Sequence, residues 1–276
     1  MDKILLSDVF FVDKTYAQKH AHMLHRHDCI LELLYVADGE SRYTVGGREY
    51  TVRTGDMVIC NAGTIHGEIP FQIHSMQTYC CAFSGVRVGD LPPGCLIPED
   101  ACPVLDLRMY KRTVGNILPD LYKLYKSSAE NIEICRSLAL SVFLMTRQAL
   151  SKPTLPDAVP DQPKSRELVG RITAYLDHNY REPVSLEQIA RQFHISPSHL
   201  SHLFKRETGY SPTQYLIHRR IGEAQSLLME TRLPIRQIVE RLGFGSNCHL
   251  NALFKKYVGV SPREYRNHFS DISAPD

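Results

Sequence analysis

The chain has 276 residues, 43% hydrophobic and 22% charged, a balance that excludes a disordered or fibrous protein and suits two domains. The net charge of +2 is unevenly spread: residues 1–165 carry 17 Lys+Arg against 19 Asp+Glu, and residues 166–270 carry 15 against 9. Any contact with a polyanion is therefore expected in the second half.

Met1-Asp2-Lys3 leads into no apolar segment ending at a small-residue cleavage site, and no apolar run reaches the length of a membrane span. Eight cysteines without a C-x-x-C pair fit reduced, buried thiols better than a disulfide framework. These features predict a soluble protein of the cytoplasm with no membrane partner. Residues 1–110 then read as short strands joined by turns. Ile30 to Val36 is an apolar run, Ser41 to Val45 alternates, and Gly46-Gly47 turns the chain into Arg48 to Val52. Thr54-Gly55-Asp56 is a further turn, before Met57 to Cys60. Many short strands at this spacing predict an antiparallel barrel or sandwich.

Over residues 111–150 the period becomes helical. Val114, Ile117, Leu118, Leu121 and Leu124 share one stripe, with Pro119 expected near a helix start or at a kink. Ile134, Leu138, Val142 and Met145 form a second. Two such stripes offer more apolar surface than one barrel face needs, which predicts a dimerisation segment and a homodimer. Residues 151–165 hold four prolines and read as a semi-extended linker where the charge balance changes sign.

Residues 166–270 are helical and internally duplicated. Ser196, His199, Leu200, Leu203, Phe204, Lys205, Gly209, Ser211, Pro212 and Tyr215 recur fifty residues later, from Ser246 to Tyr265. In the first copy Leu186 to Ala190 forms a short helix, His194-Ile195-Ser196 turns, and Ser196 caps a second helix with Pro197 at its first position. That is a helix-turn-helix. The second copy has Ile238-Val239, the turn Gly243-Phe244-Gly245 and a helix from Asn247 to Tyr257. Arg220-Ile221, Ala224 and Leu227-Leu228 lie on the helix that joins them. Phe204, Phe254, Tyr215 and Tyr265 are expected in the core. His199 and His249 fit either the core or the DNA face.

This pattern, from Arg220-Ile221 through Gly243-Phe244 to Phe254-Lys255-Lys256, Gly259, Ser261-Pro262 and Tyr265-Arg266, resembles the AraC/XylS transcription regulators. The resemblance implies two recognition helices entering adjacent turns of the major groove of double-stranded DNA, and RNA polymerase as a further partner. By position, Ser198, Ser201 and His202 read base edges in the first unit and Asn247 and Asn251 in the second, beside Ala252. Lys205, Arg206, Lys255, Lys256 and Arg266 are the expected phosphate contacts.

The front half carries His25-Arg26-His27, Glu32, Gly39, Gly55 and His66. Their spacing is similar to the two-part signature of the cupin superfamily, whose barrels often hold a divalent metal through three His and one Glu. Lys19, Asn61 and Pro70 depart from that signature. Alternation sets Glu32 at opposite parity to His25 and His27, so a bend at Asp28-Cys29 must bring them together. A buried Glu32 needs a partner: a metal, Arg42 or a ligand. The resemblance implies a small-molecule effector, a sugar or other metabolite, held by His25, His27, Glu32, Tyr35, Arg42, Tyr43 and His66, with Phe71 as further lining. The alternative is a divalent transition metal on His25, His27, Glu32 and His66. The whole reads as an α+β chain: a cupin-like barrel with two helices, then an all-α domain with two helix-turn-helix units. It is expected to be a regulator and not an enzyme; a metal-dependent cupin enzyme is the rival that leaves the duplicated unit unexplained.

Overall fold

The computed structural model describes residues 4–12, 24–68, 76–151 and 164–270. Phe71 and nearly all of the proline-rich stretch lie outside the described residues. The first part is built from β1 (Leu5–Val12), β2 (Leu31–Asp38), β3 (Glu40–Val45), β4 (Arg48–Arg53), β5 (Asp56–Cys60), β6 (His66–Glu68), β7 (Gln77–Ser84) and β8 (Val104–Asp106). They form a five-stranded antiparallel sheet ordered β1-β7-β2-β5-β8 and a three-stranded one ordered β4-β3-β6. The expected hairpin pairs Val45 with Arg48 across Gly46 and Gly47. Both glycines take positive φ, 58° and 73°, a turn that a side chain would strain.

Alternation along β2 divides the first part's core in two. Leu34 and Val36 point between the sheets and meet Tyr43, Val45, Val52, Val58, Cys60 and Met76. Leu31, Leu33 and Tyr35 point the other way, toward α1 (Lys111–Ser127) and α2 (Ile132–Leu150). Val114, Leu118 and Leu121 of α1 and Ala139, Val142 and Phe143 of α2 cover this outer face. Pro119 lies inside the seventeen-residue α1 and not near its start. On α2 the buried residues are Cys135, Ala139, Val142, Phe143, Thr146 and Ala149; of the expected stripe Val142 is among them, Leu138 and Met145 are partly buried against the same core, and Ile134 is 53% exposed. All eight cysteines are free, but only Cys60, Cys80, Cys81 and Cys135 are buried; Cys29, Cys102 and Cys248 are exposed.

The second part contains α3 (Lys164–Asn179), α4 (Leu186–Gln192), α5 (Pro197–Thr208), α6 (Pro212–Glu230), α7 (Ile235–Arg241), α8 (Asn247–Val258) and α9 (Pro262–Ser270). The duplication is repeated in the packing. Phe204 meets Tyr215 edge-on at 5.6 Å and 82°, and Phe254 meets Tyr265 at 5.4 Å and 78°. The serine caps also match: Ser196 accepts from the His199 N–H at 3.2 Å and Ser246 from the His249 N–H at 3.1 Å. Arg220 on α6 ties the units together. Its Nε, Nη2 and Nη1 donate to the carbonyls of Tyr180 at 2.6 Å, Glu182 at 2.8 Å and Gly243 at 3.0 Å. Gly243 has φ 68°, and a Cβ there would collide with the Arg181 carbonyl oxygen. The end of α3, the joining helix and the second turn are thereby fixed to one another.

Candidate functional site

The units α4–α5 and α7–α8 each bury one side of their second helix. In α5, Leu200, Leu203, Phe204 and Thr208 face inward, while Ser198, His202, Lys205 and Arg206 are exposed and Ser201 is half-buried. In α8, Leu250, Phe254 and Val258 face inward, and Asn247, Asn251, Ala252, Lys255 and Lys256 are exposed. The expected base readers and all but one of the expected phosphate contacts therefore sit on open helix faces. His199 and His249 are exposed as well; the His249 ring lies edge-on to Phe244, 6.0 Å between centroids. Arg206 is held by its neighbour Glu207, which accepts from Nε at 2.9 Å and Nη2 at 2.7 Å. Arg266 differs from the expectation. It lies on α9, which packs against α6 and α8, and its Nε and Nη2 are buried. A guanidinium drawn into that packing is not extended toward a phosphate.

In the barrel, His25, Glu32 and His66 are buried, and each offers a ligand atom within 4.8 Å of the others. His25 and His66 form an isolated antiparallel bridge, His25 N–H to His66 O at 3.0 Å and His66 N–H to His25 O at 2.9 Å. The bend at Asp28-Cys29 brings in His27, whose Nε2 is 3.3 Å from Glu32 Oε1. All four side chains converge. The Thr64 carbonyl lies 2.8 Å from His66 Nδ1 and places the proton there, so Nε2 faces Glu32 Oε2 at 2.8 Å. A lone pair facing a carboxylate needs a cation between them, either a second proton or a metal. Burial alone would push the Glu32 carboxyl up; hydrogen bonds from His27 and His66 and the charges of His66 and His25 hold it well below the usual carboxylate range. Three imidazoles and one ionised carboxylate, with one histidine oriented by a backbone carbonyl, suit a first-row transition metal. Burial first, and then the Glu32 charge, pushes the buried Cys60 and Cys80 thiols well up.

Two expected pocket residues lie elsewhere. Tyr35 is three positions from Glu32 on β2 and so faces α1, not the cluster. Arg42 points outward from β3 and pairs with Glu49 at 3.3 Å. Tyr43, the next residue along, is the one that enters the barrel.

Comparison with known proteins bears on both halves. A helix-turn-helix domain model matches residues 189–268 and a cupin domain model matches residues 14–69. An uncharacterized HTH-type transcriptional regulator of Escherichia coli K12, YdiP, is 30% identical over 224 residues, 80% of this chain and 73% of the relative. The chain belongs to the AraC-type helix-turn-helix transcription regulators. The lactose operon transcription activator of Staphylococcus xylosus is 24% identical over 85% of this regulator and 83% of itself. Among solved structures, the DNA-binding domain of AdpA in complex with a target DNA is 27% identical, covering 38% of this chain and 95% of itself with a TM-score of 0.37.

No residue pattern signals how this AraC-type regulator joins its halves. Leu24 and Ile65, next to the bridged His25 and His66, are 1% and 6% exposed and belong to the apolar cluster of the DNA-binding helices, with Ile172, Leu176, Leu203 and Tyr215. The Gly46-Gly47 turn lies against α3, with Thr173 Cγ2 3.0 Å from where a Cβ of residue 47 would sit. Glu49 reaches the end of α5, its Oε1 2.7 Å from the corresponding position of Gly209. Asp177 of α3 is pushed up to about 6 by burial, against the Tyr215 hydrogen bond and the charges of Arg219 and Arg26, the last a barrel residue. No helix among the described residues is long and apolar enough to cross a membrane.

Proposed function

We propose that what the His25–His27–Glu32–His66 cluster holds sets how tightly this regulator grips DNA, and that the chain is a sensor and not an enzyme. The observation that carries this reading is the position of Leu24 and Ile65. Two of the four cluster residues have an immediate neighbour built into the apolar core of the DNA-binding helices, so a shift of His25 or His66 on ligation moves a core contact of α3 and α5. Packed cores respond to such shifts by discrete repacking, which is how a small displacement becomes a change of state.

The cluster would hold a divalent transition metal through His25 and His66, with His27 and Glu32 completing the set; the metal would supply Lewis acidity toward an oxygen or nitrogen of an organic effector. Tyr43, in the core between the sheets, would be an aromatic neighbour of such an effector. In this reading residues 1–110 sense, 111–150 dimerise, 151–165 link and 166–270 bind operator DNA. Dimerisation rests on Ile134, Leu140 and Leu144, apolar side chains exposed along one side of α2.

Calorimetric titration of the chelator-treated protein with nickel and zinc tests the occupant. Binding to the wild-type chain that falls by about a hundredfold in Glu32→Gln and His66→Ala is the expected result. Affinity unchanged from wild type in the two variants sinks the metal reading.

A further inference from the structure

The aromatic pairs Phe204–Tyr215 and Phe254–Tyr265 each lie within one copy of the repeat, so neither sets how far apart the two units stand. Another aromatic contact crosses between the copies. His218 on α6 meets both the Tyr210 ring and the Tyr257 ring, each 4.8 Å away between centroids, at 53° and 58°. Neither tyrosine is repeated at fifty residues: Val260 and Glu207 stand at the corresponding positions.

Each tyrosine is tied to a recognition helix. Tyr210 follows Gly209, which closes α5 with φ 77°. The Thr208 hydroxyl donates to the Phe204 carbonyl at 2.8 Å and accepts from the Tyr210 N–H at 3.3 Å, so Tyr210 is fixed to the last turn of α5. Tyr257 lies in the last turn of α8, with Lys256 Nζ 5.1 Å from its ring centre. His218 is 2% exposed, and its Nδ1 is buried with no hydrogen-bond partner among the described residues. A buried ring nitrogen without a partner costs stability, so contacts of the ring are what hold this side chain in place. Burial first, and then the Lys256 charge, holds its pKa at about 4, which leaves an uncharged ring at neutral pH. Arg220 is two residues further along α6, and so on the opposite side, where it holds the end of α3 and the second turn. The joining helix is fixed from both sides.

We infer that His218 is a positioning residue for DNA recognition: through Tyr210 and Tyr257 it sets the offset between α5 and α8, and with it the half-site spacing that this regulator accepts. Adjacent turns of the major groove are about 34 Å apart, and one inserted base pair moves the second half-site by about 3.4 Å and turns it by about 35°. A rigid offset rejects that change, and a loose one follows it. The inference does not depend on what the cluster holds.

Full-length protein is titrated by anisotropy against promoter DNA with both half-sites, the same DNA with one base pair inserted between them, and each half-site alone. Wild type should lose at least about tenfold in affinity on the insertion. His218→Leu keeps about the same volume without an aromatic ring. It should bind each half-site within about twofold of wild type, bind the native spacing about tenfold less well, and lose less than about threefold on the insertion. His218→Phe restores the ring contacts and should behave as wild type. Tyr257→Leu, at a half-buried position, should repeat the His218→Leu pattern, and it carries the test if His218→Leu does not fold. The inference is overturned if wild type tolerates the insertion, if the leucine variants reject it as strongly as wild type, or if His218→Phe fails as His218→Leu does. It is overturned equally if half-site affinity falls in proportion with two-part affinity, as general destabilisation would cause, or if neither leucine variant folds.

Discussion

Replacing Arg220 by Met keeps the apolar stem and removes three donors at once. Each hydrogen bond from a charged group is worth about 1.5–3 kcal/mol, so separate contributions would sum to about 5–9 kcal/mol. That sum is too large. The three bonds share one charge, the guanidinium is only half-buried, and water can replace the donor at the exposed Glu182 carbonyl. The Tyr180 and Gly243 carbonyls are less open, and they carry most of the loss. A cost of about 2–4 kcal/mol follows, which in a domain of this size lowers the melting temperature by roughly 10–20 °C. Because Gly243 is in the turn of the second unit, the variant should also bind a two-part DNA site less well relative to a single half-site. Circular dichroism melts of wild type and Arg220→Met check the first effect, and anisotropy on the two DNAs checks the second. A melting shift under about 3 °C would refute the view of Arg220 as the tie between the units.

His218, between the Tyr210 and Tyr257 rings at 4.8 Å each, is held at a pKa of about 4 by burial and then by Lys256. The unfolded chain therefore takes up this proton first as pH falls from about 6.5 to about 4, and stability is lost across that window; Asp177, raised to about 6, works the opposite way. Denaturant melts should show wild type losing about 3 kcal/mol more than His218→Phe between neutral pH and pH 4, and equal losses would remove His218 from the account. Replacing Lys255 and Lys256 by Ala should flatten the dependence of log affinity on log salt by about 0.9 per lost phosphate contact, without altering the preferred sequence. His202→Ala should cost roughly 1–3 kcal/mol of discrimination at one half of the operator and Asn251→Ala less, measured against single-base variants; the reverse ranking would make the second helix the main reader.

Much of this molecule can be read in its residues, because periodicity and turn chemistry are local. The strands β2 to β5 follow from alternation and glycine turns, and the two DNA-binding units from a fifty-residue repeat that reappears as paired Phe–Tyr contacts. The cluster needed one assumption beyond strand alternation, a bend at Asp28-Cys29. Tyr35 illustrates the parity rule that places Glu32 in the barrel: an odd separation on one strand puts it outside. Arg42 and Tyr43 are adjacent and cannot share a face, and the apolar member goes in. The middle of the buried side of α2 was hidden because it uses Cys135, Ala139 and Thr146, residues with little hydrophobic signal. Arg266 reads as a surface cation, and only the packing of α9 reveals that it is not. Leu24 and Ile65 have no sequence signature as coupling residues, since their partners lie more than a hundred positions away in another domain.

The coupling itself can be measured by the affinity of the full chain for DNA from its own promoter, with and without a saturating divalent ion, in wild type and in Leu24→Ala with Ile65→Ala. Wild type should change its Kd by about tenfold on loading the ion, about 1.4 kcal/mol of coupling. The double variant should bind ion and DNA yet change by less than about twofold, because the cluster is intact and its link to α3 and α5 is cut. A wild-type protein that takes up the ion and holds DNA equally tightly in both states, or a double variant that responds as fully as wild type, would contradict the account.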